Sequence, residues 1–274
     1  MPDTWEVHAV KYAERNSRTR ADSFMFDDHP AAPHGMDYFV WVLRRGDRTI
    51  LVDTGFDAVE ADRRGRPIQQ DPARAIEALG VQADEIDTVI ITHLHYDHAG
   101  GLDRYPAAVF HLQDAEMAYA TGPCMCHPTL QMPFTVEHVV EMVRHVYSGR
   151  VVFHSGSAEI APGVRVHRLG GHSRGLQIVE VATDHGPLVL ASDAAHYWEN
   201  YLTGKPFPIV VDLADMLEGF GTLLRLGGGD IGRIIPGHDP LVARHYPLSG
   251  QADFVWRLDT GPRVPLPDPR AGLR

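Results

Sequence analysis

Residues 89–101, VIITHLHYDHAGG, combine an apolar run with three histidines, one aspartate and two glycines. The apolar run is typical of a buried strand, which we predict over 88–93. Alternate residues of an extended or turning segment point the same way, so His93 and His95 can face one ion together. Asp97 and His98 follow one turn later and can reach a second ion beside the first. The two glycines let backbone pass close to the site. The stretch therefore predicts half of a two-ion metal site.

The other half is predicted from three further apolar runs that end in a histidine or an aspartate. LGGHS (169–173) places His172 after a strand, LASDA (190–194) ends a strand at Asp193, and IIPGHD (234–239) places His238 after another. Sheets of α/β type build their sites at the carboxyl ends of strands. Imidazole nitrogens and carboxylate oxygens suit Zn²⁺, and they also accept Mn²⁺, Fe²⁺ or Co²⁺. We expect two divalent ions per chain, with Zn²⁺ as the first choice.

The pattern of elements predicts a four-layer αββα sandwich, because two series of short apolar strands are each followed by a helical pattern. We predict strands over 7–13, 38–44, 49–55, 88–93, 107–112, 151–155, 164–171, 176–183, 188–194 and 233–239, and helices over 72–79, 135–147 and 213–226. Residues 1–256 are expected to form a single domain of two similar halves, about 1–150 and 151–256. Residues 257–274 form a tail rich in proline and arginine. Residues 113–134 are expected to be an irregular insertion, and Phe24 and Phe26 are expected to be exposed.

Composition narrows the classes of partner. The chain has 274 residues, with 36 acidic and 25 basic side chains and a net charge of −11. This balance argues against a nucleic-acid partner or an acidic membrane surface, both of which require a basic face. No run of eighteen apolar residues predicts a membrane span, and the N-terminus lacks the apolar core of a signal peptide. Two cysteines cannot form a disulfide framework. We expect a cytoplasmic enzyme acting on a small molecule, and a homodimer is compatible with these data.

The H-x-H-x-D-H-x-G-G string, together with the segments TILVDTG (49–55) and IIPGHD (234–239), resembles the metallo-β-lactamase superfamily. The resemblance implies the αββα sandwich and assigns the ligands position by position. The first ion would be held by His93, His95 and His172, the second by Asp97, His98 and His238, with Asp193 bridging the two. It also implies that Asp53 supports the ligand loop from behind.

The reaction that the resemblance implies is hydrolysis by a hydroxide that bridges the two ions. Coordination lowers the pKa of water from 15.7 to about 7, and Asp97 or Asp193 could pass a proton to the leaving group. Overall length and SDAAHYWEN (192–200) are most similar to the N-acyl homoserine lactonase group, which implies quorum quenching by opening of a lactone, or cleavage of a related carboxylic ester. That group has a tyrosine three residues after the bridging aspartate. This chain has His196 there and Tyr197 next to it, so both are candidate catalytic residues, with His196 a donor to a developing oxyanion.

Two alternative activities stay open. A thioester hydrolase of the hydroxyacylglutathione type usually has a basic, helical C-terminal region, whereas this C-terminus is short and rich in proline. A mononuclear iron sulfur dioxygenase retains much of the same motif with one iron. The presence of Asp193 disfavours a true β-lactamase, and a histidine at position 95 in place of glutamate disfavours a di-iron reductase.

Overall fold

The computed structural model describes residues 3–250 and 252–269, which contain twelve strands and eight α-helices. The strands are β1 (Glu6–Arg15), β2 (Met36–Arg45), β3 (Arg48–Val52), β4 (Thr88–Ile90), β5 (Val109–Gln113), β6 (Val151–His154), β7 (Ala158–Ala161), β8 (Val164–Arg168), β9 (Gln177–Thr183), β10 (Gly186–Ser192), β11 (Ile234–Pro236) and β12 (Val255–Arg257). The helices are α1 (Ala58–Arg64), α2 (Pro72–Ala75), α3 (Asp114–Ala120), α4 (Pro128–Gln131), α5 (Val136–Tyr147), α6 (Trp198–Thr203), α7 (Leu213–Leu226) and α8 (Leu241–His245).

The strands form two sheets that pack face to face. The first has seven strands in the order β12-β1-β2-β3-β4-β5-β6, and the second has five in the order β11-β10-β9-β8-β7. In β2, Phe39 and Trp41 enter the core between the sheets, whereas Val40 and Val42 enter the core beneath the outer helices. Successive residues of a strand point to opposite faces, so a strand buried on both sides has a continuous apolar sequence. The predicted αββα sandwich is confirmed.

The longest helix, α7, covers the second sheet and has the predicted bounds. Asp212 accepts hydrogen bonds from the backbone N–H groups of Ala214 and Asp215, so it caps the helix at its first turn. Met216, Phe220 and Leu223 recur at helical spacing and pack into the core against that sheet. The apolar stripe and its aspartate cap explain why this helix was predictable from sequence.

Several predicted elements differ from the observed ones. The strand predicted over 88–93 ends at Ile90, so the metal-ligand motif lies in a loop. The region 113–134 is not irregular, because it contains α3 and α4. Phe24 was expected to be exposed but is 2% exposed, while Phe26 is exposed as predicted. Strands β7 and β12 were not predicted. β12 pairs with β1, and the chain continues into a buried Leu258.

The topology brings the carboxyl ends of strands from both sheets to one edge. In the first sheet β3, β4, β5 and β6 run parallel. In the second sheet β8 and β10 are both antiparallel to β9, and β11 is parallel to β10, so all three end at the same side. The loops that follow β3, β4, β8, β10 and β11 therefore meet.

Within residues 3–250 and 252–269, no helix has the length and apolarity needed to cross a membrane.

Candidate metal centre

Eight predicted side chains converge where these loops meet. Their ligand atoms form three groups, in each of which all atoms lie within 4.8 Å of one another. The groups are His93, His95, His172 and Asp193; Asp97, His98 and His238; and Asp193, His196 and His238. All eight residues are buried, and Asp97, at 8% exposed, is the one most open to solvent. The seven predicted ligands are thus brought together, with His196 beside them.

The Asp193 carboxylate lies at the centre of the cluster and uses both oxygens. Its Oδ1 is 3.0 Å from Nε2 of His238 and 3.3 Å from Nε2 of His98. Its Oδ2 is 3.1 Å from Nε2 of His172 and 3.7 Å from Nε2 of His93. Histidines assigned to the two different ions therefore approach different oxygens of one carboxylate, as a bridging ligand requires.

Hydrogen bonds behind the imidazoles fix which ring nitrogen faces the centre. Nδ1 of His172 lies 2.8 Å from the carbonyl oxygen of Ile209, and Nδ1 of His238 lies 2.8 Å from that of Asp37. A carbonyl only accepts, so Nδ1–H donates in both rings and, in the neutral ring, Nε2 carries a lone pair. These lone pairs point at the Asp193 carboxylate, which is also electron-rich. A cation between them would remove this repulsion.

Unpartnered buried atoms support the same conclusion. Nε2 of His93, His98 and His238 and Oδ1 of Asp193 are buried and make no hydrogen bond to the residues that the structure describes. Buried polar atoms are rarely left without a partner, and four in one place indicate a site that fits a cation. A shell of imidazoles and carboxylates has the chemistry for a divalent metal.

The electrostatics of the cluster also favour positive charge. Burial opposes ionisation of Asp193, but the surrounding imidazoles hold the pKa of that carboxyl well below its usual range. Burial likewise disfavours charged His98, yet the carboxylates of Asp193, Asp53 and Asp97 raise its pKa well above the usual value. Burial and neighbouring histidines lower the pKa of His93 well below normal, so its imidazole is neutral and can offer a lone pair to a cation.

Asp53 braces the ligand loop from the end of β3. Its Oδ2 is 2.7 Å from Nδ1 of His98, and its two oxygens accept hydrogen bonds from the backbone N–H and the hydroxyl of Thr92 at 2.7 and 2.8 Å. The Thr92 hydroxyl is 2.9 Å from that of Ser192, which precedes the bridging carboxylate. Asp53 and Ser192 have φ values of 60° and 44°, a conformation that costs energy outside glycine. Strained backbone thus lies directly after β3 in the first sheet and at the last residue of β10 in the second.

A family profile described as the metallo-beta-lactamase superfamily matches residues 36–238, which include every side chain of the cluster. The chain belongs to the metallo-β-lactamase superfamily. The resemblance predicted from the motif is therefore confirmed, and membership of the superfamily supports hydrolase activity.

Relatives within the superfamily include lactonases. A probable metallo-hydrolase of Mycobacterium tuberculosis is 28% identical over 230 residues, which cover 76% of this chain and 74% of the relative. An N-acyl homoserine lactonase of Bacillus cereus is 27% identical over 185 residues, 61% of this chain and 68% of that enzyme. A crystal structure of a quorum-quenching N-acyl homoserine lactone lactonase aligns with a TM-score of 0.72 and 20% identity, over 88% of this chain and 94% of that chain. A dizinc quorum-quenching lactonase in complex with a product aligns with a TM-score of 0.71 and 14% identity, over 97% of each chain.

Glu116, in α3, ties together the two ligand loops of this superfamily fold and was missed from the sequence. Its Oε1 accepts a hydrogen bond from the backbone N–H of Leu94, at 2.9 Å, between the first two histidines of the motif. Its Oε2 accepts from the Ser173 hydroxyl at 2.7 Å and from the Gly175 N–H at 2.9 Å, just after His172. The glutamate is fully buried. No local motif marks Glu116 as a supporting residue, and it lies within the region 113–134 that the sequence predicts to be irregular.

The two candidate catalytic residues that are not predicted metal ligands, His196 and Tyr197, lie in different places. Nε2 of His196 is 3.0 Å from Oδ2 of Asp193, and its ring stacks on Phe207 at 3.5 Å between centroids. Burial lowers the pKa of His196 to about 3, so the ring is neutral. The Tyr197 hydroxyl instead donates to the carbonyl oxygen of Gly35 at 3.2 Å. The structure thus brings His196 to the cluster and directs the Tyr197 hydroxyl elsewhere.

Three aromatic rings pack against histidines of the centre. Phe134 lies with its ring centroid 4.7 Å from that of His95, and Phe207 covers His196. Tyr38 packs edge-on against His238 at 5.2 Å. These rings lower the local dielectric, which strengthens every charge interaction within the centre. Asp97 keeps the largest exposure of the eight, so substrate approach is expected on its side.

Proposed function

We propose that this chain hydrolyses lactones or related carboxylic esters with two divalent ions, Zn²⁺ by preference. The main observation in support is the position of Asp193. One of its oxygens is approached by His172, of the first ligand set, and the other by His238, of the second set. That arrangement suits two adjacent ions better than one.

The first ion would be held by three histidines and the second by one aspartate and two histidines, with Asp193 shared. These sets are His93, His95 and His172, and Asp97, His98 and His238. When bound, such ions lower the pKa of water to about 7 and polarise an ester carbonyl. Hydrolysis then needs no serine or cysteine nucleophile.

The protein's own residues supply orientation and proton transfer. Asp97 is the acidic side chain at the exposed side of the centre, and the Tyr12 hydroxyl fixes its backbone by donating to its carbonyl oxygen at 2.9 Å. We assign Asp97 the role of accepting the proton that the attacking water loses and passing it to the leaving alkoxide. The neutral His196 has a single N–H, at the Nε2 that lies 3.0 Å from Asp193; with the Asp193 oxygens occupied by the ions, this N–H would be free to donate toward negative charge that develops at the substrate carbonyl oxygen. Phe134 and Phe207 exclude water from the reacting bond.

Three activities compete within this fold, and one experiment separates them. Metal-free protein reloaded with Zn²⁺, Mn²⁺ or Fe²⁺ is assayed in a pH-stat against a panel of lactones, aryl esters and thioesters, with oxygen consumption recorded in parallel. We expect proton release from lactones or esters that is independent of oxygen. Exclusive turnover of thioesters would favour the hydroxyacylglutathione type of hydrolase. Oxygen consumption with a single iron would favour a sulfur dioxygenase, and either result would overturn the proposal.

A further inference from the structure

Three arginines lie beside the proposed centre without an acidic partner. Among residues 3–250 and 252–269, nine arginines form an ion pair within 4.0 Å, and Arg15, Arg18 and Arg66 are among those that form none. Arg18 is buried, whereas Arg15 and Arg66 are half-buried, and a cation that is removed from water without a counter-charge is costly.

Arg18 is the most buried of the three, at 7% exposed. One nitrogen of its guanidinium donates to the carbonyl oxygen of Asp22 at 2.5 Å and more weakly to the Ser23 hydroxyl at 3.4 Å. Its Nε is buried and has no partner. The guanidinium carbon is 5.5 Å from the centroid of Phe207, the ring that stacks on His196. One aromatic ring therefore separates this cation from the metal cluster.

Arg66 approaches the cluster from the side of Tyr38 and Tyr96. It donates to the Tyr96 hydroxyl, which is 3.3 Å from that of Tyr38, the ring packed on His238. Its Nε is also buried without a partner. Arg18 and Arg66 thus each have a buried Nε–H without a partner, and each guanidinium contacts an aromatic ring near the centre, Phe207 for Arg18 and Tyr96 for Arg66.

Arg15 belongs to the same positive region. Burial lowers the pKa of its guanidinium, and the charges of Arg66 and Arg18 lower it further, so the three cations act on one another. Asp22 also acts on Arg15, but its carboxylate accepts hydrogen bonds from the backbone N–H and hydroxyl of Thr19. The mutual repulsion is a cost that a bound anion would offset.

We propose that these arginines bind an oxyanion on the substrate, a carboxylate or a phosphate, so that the enzyme acts on anionic lactones or esters. The inference rests on the proposed function, because it places the oxyanion one aromatic ring away from the bond to be hydrolysed. The unused Nε–H donors suit an oxyanion, since guanidinium binds carboxylate and phosphate through paired N–H groups. Arg18 and Arg66 make the contacts, and Arg15 adds positive potential.

The test compares γ-lactones with a side chain that ends in a carboxylate, a phosphate or a neutral primary amide. Wild-type protein is expected to hydrolyse an anionic member with a kcat/KM at least tenfold above that of the amide. The Arg18→Gln and Arg66→Gln variants should lower this ratio about 10- to 100-fold, mainly through KM, as expected for loss of charge-assisted hydrogen bonds. The exposed Arg225→Gln variant removes the same charge and should keep the ratio. The larger preference, for carboxylate or for phosphate, identifies the oxyanion.

A binding measurement distinguishes failure of this inference from failure of the proposed function. Glutarate and inorganic phosphate are titrated calorimetrically into wild-type, Arg18→Gln and Arg18→Lys proteins, and we expect binding at least tenfold weaker for glutamine and intermediate for lysine. A substrate ratio near one in wild-type protein, or a ratio and an affinity unchanged in Arg18→Gln and Arg66→Gln, would overturn the inference while lactone hydrolysis stands. Absence of any lactone or ester hydrolysis, with anion binding that depends on Arg18, would refute only the proposed function.

Discussion

Replacing Glu116 by glutamine tests whether this buried carboxylate holds the ligand loops in place. It accepts three hydrogen bonds, two from backbone N–H groups and one from a hydroxyl. Glutamine has the same shape but only one acceptor oxygen, and its amide would face a donor. The Ser173 hydroxyl can rotate away, whereas the N–H of either Leu94 or Gly175 would lose its acceptor.

The magnitude follows from these contacts. An unpaired buried N–H costs about 1–3 kcal/mol, and hydrogen bonds to a charged acceptor contribute about 1.5–3 kcal/mol each. Burial, which raises the pKa of Glu116, reduces the net gain from the charge, so removing the charge recovers part of the loss. We expect Glu116→Gln to lower the free energy of unfolding by about 2 kcal/mol. Because the loops on both sides of the centre loosen, metal affinity should fall about 10- to 100-fold.

The assay combines urea unfolding with competition against a chromophoric chelator. The control is Glu77→Gln, which removes the same charge at an exposed position and should change neither quantity. If Glu116→Gln unfolds within about 0.5 kcal/mol of wild type and binds metal within twofold, the positioning role is refuted. Loss of stability without loss of metal affinity would show that the glutamate supports the fold alone.

Four further substitutions test other contacts in and around the centre. Asp53→Asn weakens the bond that orients His98, so metal affinity measured by chelator competition should fall about 10- to 100-fold. His196→Ala should lower kcat/KM about 100-fold for the best lactone, as for loss of an oxyanion donor, whereas Tyr197→Phe should mainly lower the unfolding free energy by about 1 kcal/mol. Gly175→Ala should lower the unfolding free energy by about 2 kcal/mol or more, because its Cβ would lie 2.1 Å from a backbone nitrogen of α3.

Each of these expectations has a control or a result that contradicts it. Unchanged metal affinity in Asp53→Asn would show that metal binding does not depend on the contact between Asp53 and His98. Equal losses of kcat/KM in the substitutions of His196 and Tyr197 would contradict the placement of the two side chains. Gly221→Ala, at an exposed position of α7 with nothing within 4 Å of the added Cβ, should instead stabilise by about 0.5–1 kcal/mol.

Local sequence patterns predicted the side chains that cluster at the candidate metal centre, because each of them lies beside the end of an apolar run. His172, Asp193 and His238 each follow an apolar run at its carboxyl end, and the topology carries those ends to one edge of the sandwich. The sandwich itself was predictable for a similar reason, since strands buried on both faces read as continuous apolar runs. Helix α7 was predictable from its cap and stripe.

The supporting residues were not predictable, because their role exists only in three dimensions. Glu116 reaches Leu94 and Gly175, which lie 22 and 59 residues away in the chain, and no local pattern connects them. Phe24 lies in a polar segment, but it is buried by packing against Tyr197 and His34. Arg18 sits among polar residues in the sequence and becomes notable only when its burial and lack of an acidic partner are known.

The proposed activity requires two ions within this cluster for hydrolysis of an ester bond. The most direct measurement is a titration of metal-free protein with Zn²⁺ under argon, with bound metal and lactone hydrolysis recorded at each step. We predict that hydrolysis rises until two ions are bound per chain and then stays constant, without any requirement for oxygen. Activity that reaches its plateau at one ion, or that requires iron and oxygen, would contradict the account.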